Sequence, residues 1–115
     1  MRVYYGFITV RTQSTRLPEK CLLKVQGKTI IENVIDRALI SGITPILCTT
    51  KNLKDDILVN IAKSKNIKFF RGSEKNKLKR WFDCANEFSI DKFHTIDADD
   101  PFFDPILVKE SISML

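Results

Sequence analysis

The sequence predicts an α/β fold, in which a parallel sheet is covered by crossover helices. Short apolar runs rich in branched and aromatic residues alternate with segments of helical periodicity, in the order β-α-β-α-β-α-β-α. A parallel strand pair needs a long crossover connection, usually a helix, so this alternation favours a parallel sheet. Polar residues follow each apolar run, which is typical of a ligand-binding edge.

The strands are predicted from their length and composition. Runs of this kind, bounded by turn residues, favour buried strands. They cover Val3–Val10, Ile43–Thr49, Ile67–Phe70 and Lys92–Ile96. Pro45 falls near the start of the second run, where a proline is tolerated.

The first helix is predicted from its two ends. Thr29 and Glu32 have the spacing of a capping box, in which each residue hydrogen-bonds the backbone of the other. Apolar residues then recur at helical spacing as far as Ser41-Gly42, where the glycine favours a helix end.

Three further helices are predicted. Asn52 or Asp55 caps the second, which ends near Lys65-Asn66 and whose apolar face is Ile57, Leu58, Ile61 and Ala62. The third is expected to bury Leu78, Trp81, Phe82 and Ala85. The last begins at Asp104-Pro105, since proline suits the first helical position.

Composition limits the class of protein. With 43% hydrophobic and 29% charged residues in 115 residues, the sequence indicates one folded domain over 1–115. No apolar run is long enough to span a bilayer and the start lacks a signal-peptide pattern, so we expect a cytoplasmic protein with no membrane partner. The net charge of +5 would suit nucleic acid. However, the lysines are spread over helix faces, so we expect a small anionic ligand and no nucleic acid.

The cysteines argue against two kinds of cross-link. Cys21, Cys48 and Cys84 lie far apart in apolar segments, and their count is odd. This pattern is not typical of a disulfide framework or of a zinc site. We expect buried thiols.

A basic loop follows the first strand. Between positions 11 and 20 it carries Arg11, Ser14, Arg16 and Lys20. Arginine can grip two phosphate oxygens at once, lysine adds a point charge, and hydroxyls donate further hydrogen bonds. The loop lacks the glycines of a Walker A motif, so side chains would have to hold a polyphosphate. The alternative is an ordinary solvated loop.

Acidic residues follow the fourth strand. Asp97 and Asp99 flank one residue, so in extended backbone both carboxylates point to one side. Such a pair suits Mg²⁺ or Mn²⁺ bound to substrate phosphates. The alternative is a turn cluster before Pro101. The ends of the second and third strands add Thr49 and Ser73 to this polar edge.

The basic loop has the residue order of a known signature. Arg11-x-x-Ser-x-Arg-Leu-Pro-x-Lys20 resembles the N-terminal signature of the sugar cytidylyltransferases, which include the 3-deoxy-manno-octulosonate and acylneuraminate enzymes. The likeness is strongest to the spore-coat polysaccharide biosynthesis F-type branch. Supporting matches occur in order at Gly27–Ile31, Cys48–Thr50, Phe70–Ser73, Leu78–Trp81 and Asp97–Pro101.

The resemblance implies a Rossmann-like, three-layer fold of the nucleotide-diphospho-sugar transferase type. It implies transfer of CMP from CTP to a sugar with release of pyrophosphate, in polysaccharide precursor synthesis. Arg11, Arg16 and Lys20 would hold the triphosphate, and Ser73 and Arg80 would lie towards the nucleotide. Asp99 would be the principal metal ligand, assisted by Asp97.

The resemblance also implies a longer domain than this chain. The missing half would complete the sheet and the sugar pocket and contribute to a homodimer. We therefore expect this chain to be the N-terminal part of a larger domain or a truncated copy of the fold. A non-catalytic half-domain that binds a nucleotide or a partner chain stays open as the alternative function.

Overall fold

Four parallel strands form the central sheet. The computed structural model describes residues 4–13 and 20–97, with the backbone alone for Lys20 and Asp97. The strands are β1 (Tyr5–Thr9), β2 (Lys24–Val25), β3 (Lys28–Thr29), β4 (Thr44–Thr50), β5 (Lys68–Gly72) and β6 (Phe93–Asp97). The helices are α1 (Ile30–Ile40), α2 (Asp56–Ser64) and α3 (Lys77–Glu87). The predicted α/β class is confirmed.

The order of strands in the sheet is β5-β4-β1-β6, and every pair is parallel. Tyr5 of β1 lies opposite Thr44 of β4 on one side and Phe93 of β6 on the other. The strand that is first in sequence therefore occupies an inner position. The last helix predicted from the sequence, at Asp104-Pro105, lies outside the described residues.

Helices cover both faces of the sheet, giving three layers. One apolar cluster joins Ile8 and Leu47 of the sheet to α1 and α2. The other joins Phe7, Ile46 and Cys48 to Cys84 and Ala85 of α3. Alternation along each strand accounts for this division, because successive side chains point to opposite faces.

The inward faces of two helices differ from those predicted. Ile57 of α2 is 46% exposed, and Leu78 and Phe82 of α3 are 62% and 69% exposed. In α3 the inward face carries Arg80, Cys84 and Ala85. Residues 78 and 82 lie roughly 200° around the helix from residue 80, on the far side. A buried arginine thus faces the sheet in place of Leu78 and Phe82, which the apolar pattern assigned to the core.

A short hairpin, β2–β3, precedes α1 and was not predicted. Lys24 pairs with Thr29 and Val25 with Lys28 in antiparallel register. Gln26 and Gly27 both have positive φ, of 55° and 84°, as the tightest hairpin turns require. Strands of two residues are too short to show alternation in the sequence.

The capping box at the start of α1 is confirmed. The Thr29 hydroxyl oxygen accepts from the Glu32 N–H at 3.2 Å, and the Thr29 N–H donates to Glu32 Oε1 at 3.1 Å. The Thr29 hydroxyl also donates to Glu32 Oε1 at 2.8 Å. Gly42, with φ of 82°, follows the end of the helix as predicted.

Thr29→Ala is expected to reduce the free energy of unfolding by about 1 kcal/mol at neutral pH, since the cap is lost. The hydrogen bonds from the Thr29 backbone and hydroxyl lower the pKa of Glu32 below its ordinary value. A carboxyl group whose pKa is lowered on folding stabilises the fold at pH values above its ordinary pKa. This contribution is lost as the pH falls through the lowered pKa. Urea unfolding of both proteins at neutral and acid pH should show the difference shrinking in acid. An equal difference at both pH values would contradict the ionised capping box.

The three cysteines are buried, as predicted. Cys48 of β4 and Cys84 of α3 have their sulfur atoms 3.3 Å apart, across the sheet–helix interface. The hydrogen bond with Cys84 and burial raise the pKa of the Cys48 thiol, which is therefore protonated at neutral pH. These two cysteines act as core side chains.

No helix in the described part of the chain has the length and apolar character needed to cross a membrane.

Candidate functional site

The polar ends of the strands meet at one edge of the sheet. Thr9 of β1 lies opposite Cys48 of β4 and, on its other side, opposite Asp97 of β6. Thr50, the last residue of β4, lies opposite Gly72, the last residue of β5. All four strands therefore end together. The candidate site lies at these ends, as expected for the carboxyl edge of a parallel sheet.

Asp55 is buried at this edge. It has no exposed surface, and its Oδ1 accepts hydrogen bonds from the Thr12 N–H and the Thr12 hydroxyl, each at 2.7 Å. Its Oδ2 accepts from the Thr50 hydroxyl. The sequence predicted Asp55 only as a helix cap, but its side chain makes no cap hydrogen bond on α2. Instead, Asn52 caps a short 3₁₀ turn over Leu53–Asp55.

The side chain of Arg71, at the end of β5, forms its hydrogen bonds within the fold. Its Nε donates to the Thr50 carbonyl at 2.8 Å and its Nη2 to the Asn52 carbonyl at 2.7 Å. Its Nη1 donates to Asp56 Oδ1 at 2.7 Å. All three nitrogens hold the β4–α2 connection against the end of β5, which leaves this guanidinium little capacity for a ligand.

Arg80 of α3 is the buried cation of the site. The residue is 2% exposed, and its Nε donates to the Ser73 carbonyl at 2.9 Å. Its Nη2 lies 3.4 Å from the Glu74 carbonyl, while its Nη1 is buried and finds no hydrogen-bond partner among the described residues. An unsatisfied donor on a buried cation is costly, so this nitrogen is available to an acceptor beyond the described residues.

Gly72 makes room for this arginine. A Cβ at position 72 would lie 2.9 Å from Arg80 Cγ and 3.4 Å from Arg80 Cα. The first of these distances is shorter than ordinary van der Waals contact. The glycine thus lets α3 approach the end of β5 closely enough for Arg80 to reach the edge.

A second arginine, Arg11, adds positive charge to the same region. Burial, and to a smaller extent the charge of Arg11, lower the pKa of Arg80 below its ordinary value. No ion pair within residues 4–13 and 20–97 involves either arginine. Two cations without a paired carboxylate make this edge suited to an anion.

The other predicted nucleotide-binding residues that can be described are Thr49 and Ser73. Thr49 is fully buried within β4, and its hydroxyl oxygen has no hydrogen-bond partner in the described part of the chain. The Ser73 hydroxyl oxygen accepts from the Asn76 N–H at 3.1 Å, while the Ser73 carbonyl accepts from Arg80. Ser73 therefore orders the turn into α3 and orients Arg80.

The remaining predicted residues lie wholly or partly outside the described residues. Ser14, Arg16 and Asp99 are not described, nor are the side chains of Lys20 and Asp97. The backbone of Asp97 ends β6 next to Thr9. Among the described residues, no group of three or more potential ligands could hold a metal ion. Mg²⁺ binding by Asp97 and Asp99 stays a prediction.

Trp81 joins α3 to the end of β1. Its indole Nε1–H donates to the Thr9 hydroxyl oxygen at 2.8 Å. It is the single tryptophan of the chain. The sequence predicted it as core, and it packs partly buried against the α3 cluster. Its position next to Arg80 makes its fluorescence a natural probe of this edge.

A model of the cytidylyltransferase family matches residues 6–115. The chain belongs to this cytidylyltransferase family. The predicted resemblance is therefore confirmed at the level of the family.

Two curated relatives match nearly the whole chain. An uncharacterized protein of Methanocaldococcus jannaschii is 32% identical over 112 residues, which are 96% of this chain and 46% of the relative. A 3-deoxy-manno-octulosonate cytidylyltransferase of Solibacter usitatus is 26% identical over 114 residues, 96% of this chain and 44% of the relative. The chain spans about half the length of the curated relatives it matches.

Solved structures agree with this fold. A cytidylyltransferase from Leptospira borgpetersenii superposes with a TM-score of 0.86 at 26% identity, over 97% of this chain and 48% of the other. A CMP:2-keto-3-deoxy-manno-octonic acid synthetase complexed with CTP gives a TM-score of 0.81 at 22% identity, over 98% and 47%. The predicted three-layer fold is confirmed, and this chain covers about half of each of these structures.

Proposed function

We propose that this chain binds CTP at the carboxyl edge of its sheet and that it belongs to a machinery transferring CMP from CTP to a sugar. The observation that carries the proposal is the buried guanidinium of Arg80, whose Nη1 has no partner among the described residues. Arg11 adds a second cation at the same edge. A nucleotide triphosphate offers the acceptor oxygens and the negative charge that this arrangement lacks.

The reaction requires one bond exchange at the α-phosphorus. An oxygen of the sugar attacks this phosphorus, the bond to the β-phosphate oxygen breaks, and pyrophosphate leaves with the electron pair. Arg11 and Arg80, together with the predicted Arg16 and Lys20, would hold the triphosphate and offset the charge that builds on the leaving group. Preorganised cations of this kind lower the barrier more than flexible ones do.

Asp97 and Asp99 are the candidates for holding Mg²⁺ or Mn²⁺. The register supports this, since residue 97 ends β6 directly beside the end of β1. Carboxylate oxygens are the ligands that these hard cations prefer. A cation bound there would neutralise phosphate charge.

Titration with CTP and Mg²⁺ tests the binding step. The emission of Trp81 is expected to change with CTP, since its indole is bonded to Thr9 at the proposed site. Calorimetry on the same samples should give a one-to-one complex, weakened when Mg²⁺ is omitted. An unchanged emission spectrum together with no measurable heat would rule out the proposed function.

A second candidate function follows from the matched length. Because the chain aligns with about half of each relative, it could bind the nucleotide without turning it over. Pyrophosphate release from CTP in the presence of acidic sugars separates the two candidates. Turnover supports the transferase, and CTP binding without turnover supports the non-catalytic nucleotide-binding module.

A further inference from the structure

The buried carboxylate of Asp55 connects the segments that follow β1 and β4. Three hydrogen bonds converge on it, from the Thr12 N–H, the Thr12 hydroxyl and the Thr50 hydroxyl. No cation within residues 4–13 and 20–97 forms an ion pair with it. Among the described residues this buried carboxylate is held by neutral donors alone, so its role lies in what those donors position.

The directions of these hydrogen bonds are fixed by their neighbours. The Asn52 N–H donates to the Thr50 hydroxyl oxygen at 3.1 Å, so the Thr50 hydroxyl hydrogen is directed to Asp55. The Thr12 hydroxyl lies 2.7 Å from Asp55 Oδ1 and 3.3 Å from the Lys54 carbonyl, and the shorter contact is the stronger bond. Asp55 accepts in each of these hydrogen bonds.

Thr12 is placed where the basic segment leaves the sheet. The Val10 N–H still donates to the Cys48 carbonyl at 3.1 Å, which continues the pairing of β1 with β4. Two residues later Asp55 holds both the backbone and the side chain of Thr12. The Cys21 thiol lies 3.9 Å from the Arg11 carbonyl, which brings the far end of the segment to its start.

We propose that Asp55 is a positioning residue for the nucleotide site. By holding Thr12 it fixes the place of the neighbouring Arg11 at the carboxyl edge of the sheet. This inference rests on the proposed function. Its physical basis is preorganisation, because an anchored segment loses less conformational freedom when a ligand binds.

Substitutions at Thr12 test this without removing a buried charge. Thr12→Val keeps the backbone N–H bond to Asp55 but removes the hydroxyl, and it is expected to raise the Kd for CTP about tenfold. Thr12→Ser keeps the hydroxyl and should bind CTP as the wild type does. Asp55→Asn can still accept from Thr12 and donate to Thr50, so its Kd should lie between those two variants.

A matched control is Ser41→Ala. Ser41 is also buried, at 4% exposure, and its hydroxyl donates to the Arg37 carbonyl at 2.8 Å. It lies before β4, at the opposite edge of the sheet. Loss of this hydroxyl should lower the thermal unfolding temperature as much as Thr12→Val does, with no change in the Kd for CTP. Equal losses of affinity in both variants would overturn the proposal, since the effect would then be one of stability.

Trypsin cleavage without nucleotide gives an independent measurement. Cleavage after Arg11, followed by mass spectrometry, is expected to be several-fold faster in Thr12→Val than in Thr12→Ser or Ser41→Ala. If the wild type fails to bind CTP, the proposed function fails, but the cleavage rates still test the anchoring. Equal cleavage rates in all variants, or equal Kd values for Thr12→Val and Thr12→Ser, would show that Asp55 does not position this segment.

Discussion

Methionine in place of Arg80 is expected to weaken CTP binding about 10- to 100-fold and to leave the unliganded protein at least as stable as the wild type. Methionine fills a similar space without charge. A hydrogen bond from a charged donor contributes about 1.5–3 kcal/mol to binding, which corresponds to this range of affinity. Binding and stability thus respond in opposite directions.

The opposite responses have one cause, the burial of the Arg80 guanidinium. The residue is 2% exposed, and burial lowers the pKa of its side chain because the charged form is poorly solvated there. Without a ligand, Nη1 keeps that desolvation cost and forms no hydrogen bond in the described part of the chain. Replacing an incompletely satisfied buried cation by an apolar side chain is often neutral or stabilising.

Two variants complete the Arg80 experiment, which compares CTP affinity by calorimetry with urea unfolding. Arg80→Lys keeps the charge but loses the planar fork, so it should bind CTP with intermediate affinity. Arg37→Met removes an arginine from the last turn of α1, at the opposite edge of the sheet, and should bind CTP as the wild type does. If Arg80→Met binds CTP as the wild type does, Arg80 is not part of the binding site. If Arg80→Met is several kcal/mol less stable than the wild type, the role of Arg80 is structural.

Phe7→Ala is expected to reduce the free energy of unfolding by about 3–5 kcal/mol, which is a large part of the stability of a domain of this size. Phe7 has no exposed surface, and its ring stacks on Phe93 with centroids 4.1 Å apart. The lost contacts lie in the cluster that holds α3 against the sheet. Because α3 carries Arg80, the loss of stability in Phe7→Ala should be accompanied by weaker CTP binding.

The chain offers a matched control for Phe7. Phe82→Ala removes the same side chain from α3, where it is 69% exposed, and should change the unfolding free energy by less than about 0.5 kcal/mol. Phe7→Leu keeps much of the volume and should lie between the two. Urea unfolding measures the free energy of unfolding of all three variants, provided that its dependence on urea concentration is the same in each. A loss for Phe82→Ala equal to that of Phe7→Ala would contradict the assignment of the inward face of α3.

The fold was predictable because its signals are local. The capping box at Thr29, the glycine at Gly42 and the alternation of strands and helices each follow from residues close in sequence. The strand boundaries differ from prediction by one or two residues, since the ends of strands carry the same polar residues as the loops. The inward face of α3 could not be predicted, because it depends on a buried arginine.

The shared edge of the candidate residues was predictable, but the contacts of these residues were less so. Basic and hydroxyl residues after consecutive strands indicated one edge, and Arg11, Ser73 and Arg80 lie there. Asp55 and Thr12 were missed because their interaction joins residues that are 43 positions apart. The pair of adjacent acids at positions 55 and 56 was a usable signal, since one helix needs only one N-cap.

The inner position of β1 affects how the chain folds as it is synthesised. β1 is made first, but one of its two neighbours, β6, is made after every other strand that the structure describes. Translation adds about 5–20 residues per second, so one edge of β1 waits several seconds for its partner. During that time the ring of Phe7 also lacks its stacking partner, Phe93. A ribosome stalled before Phe93 would therefore present an open apolar strand, which makes the nascent chain a substrate for chaperones.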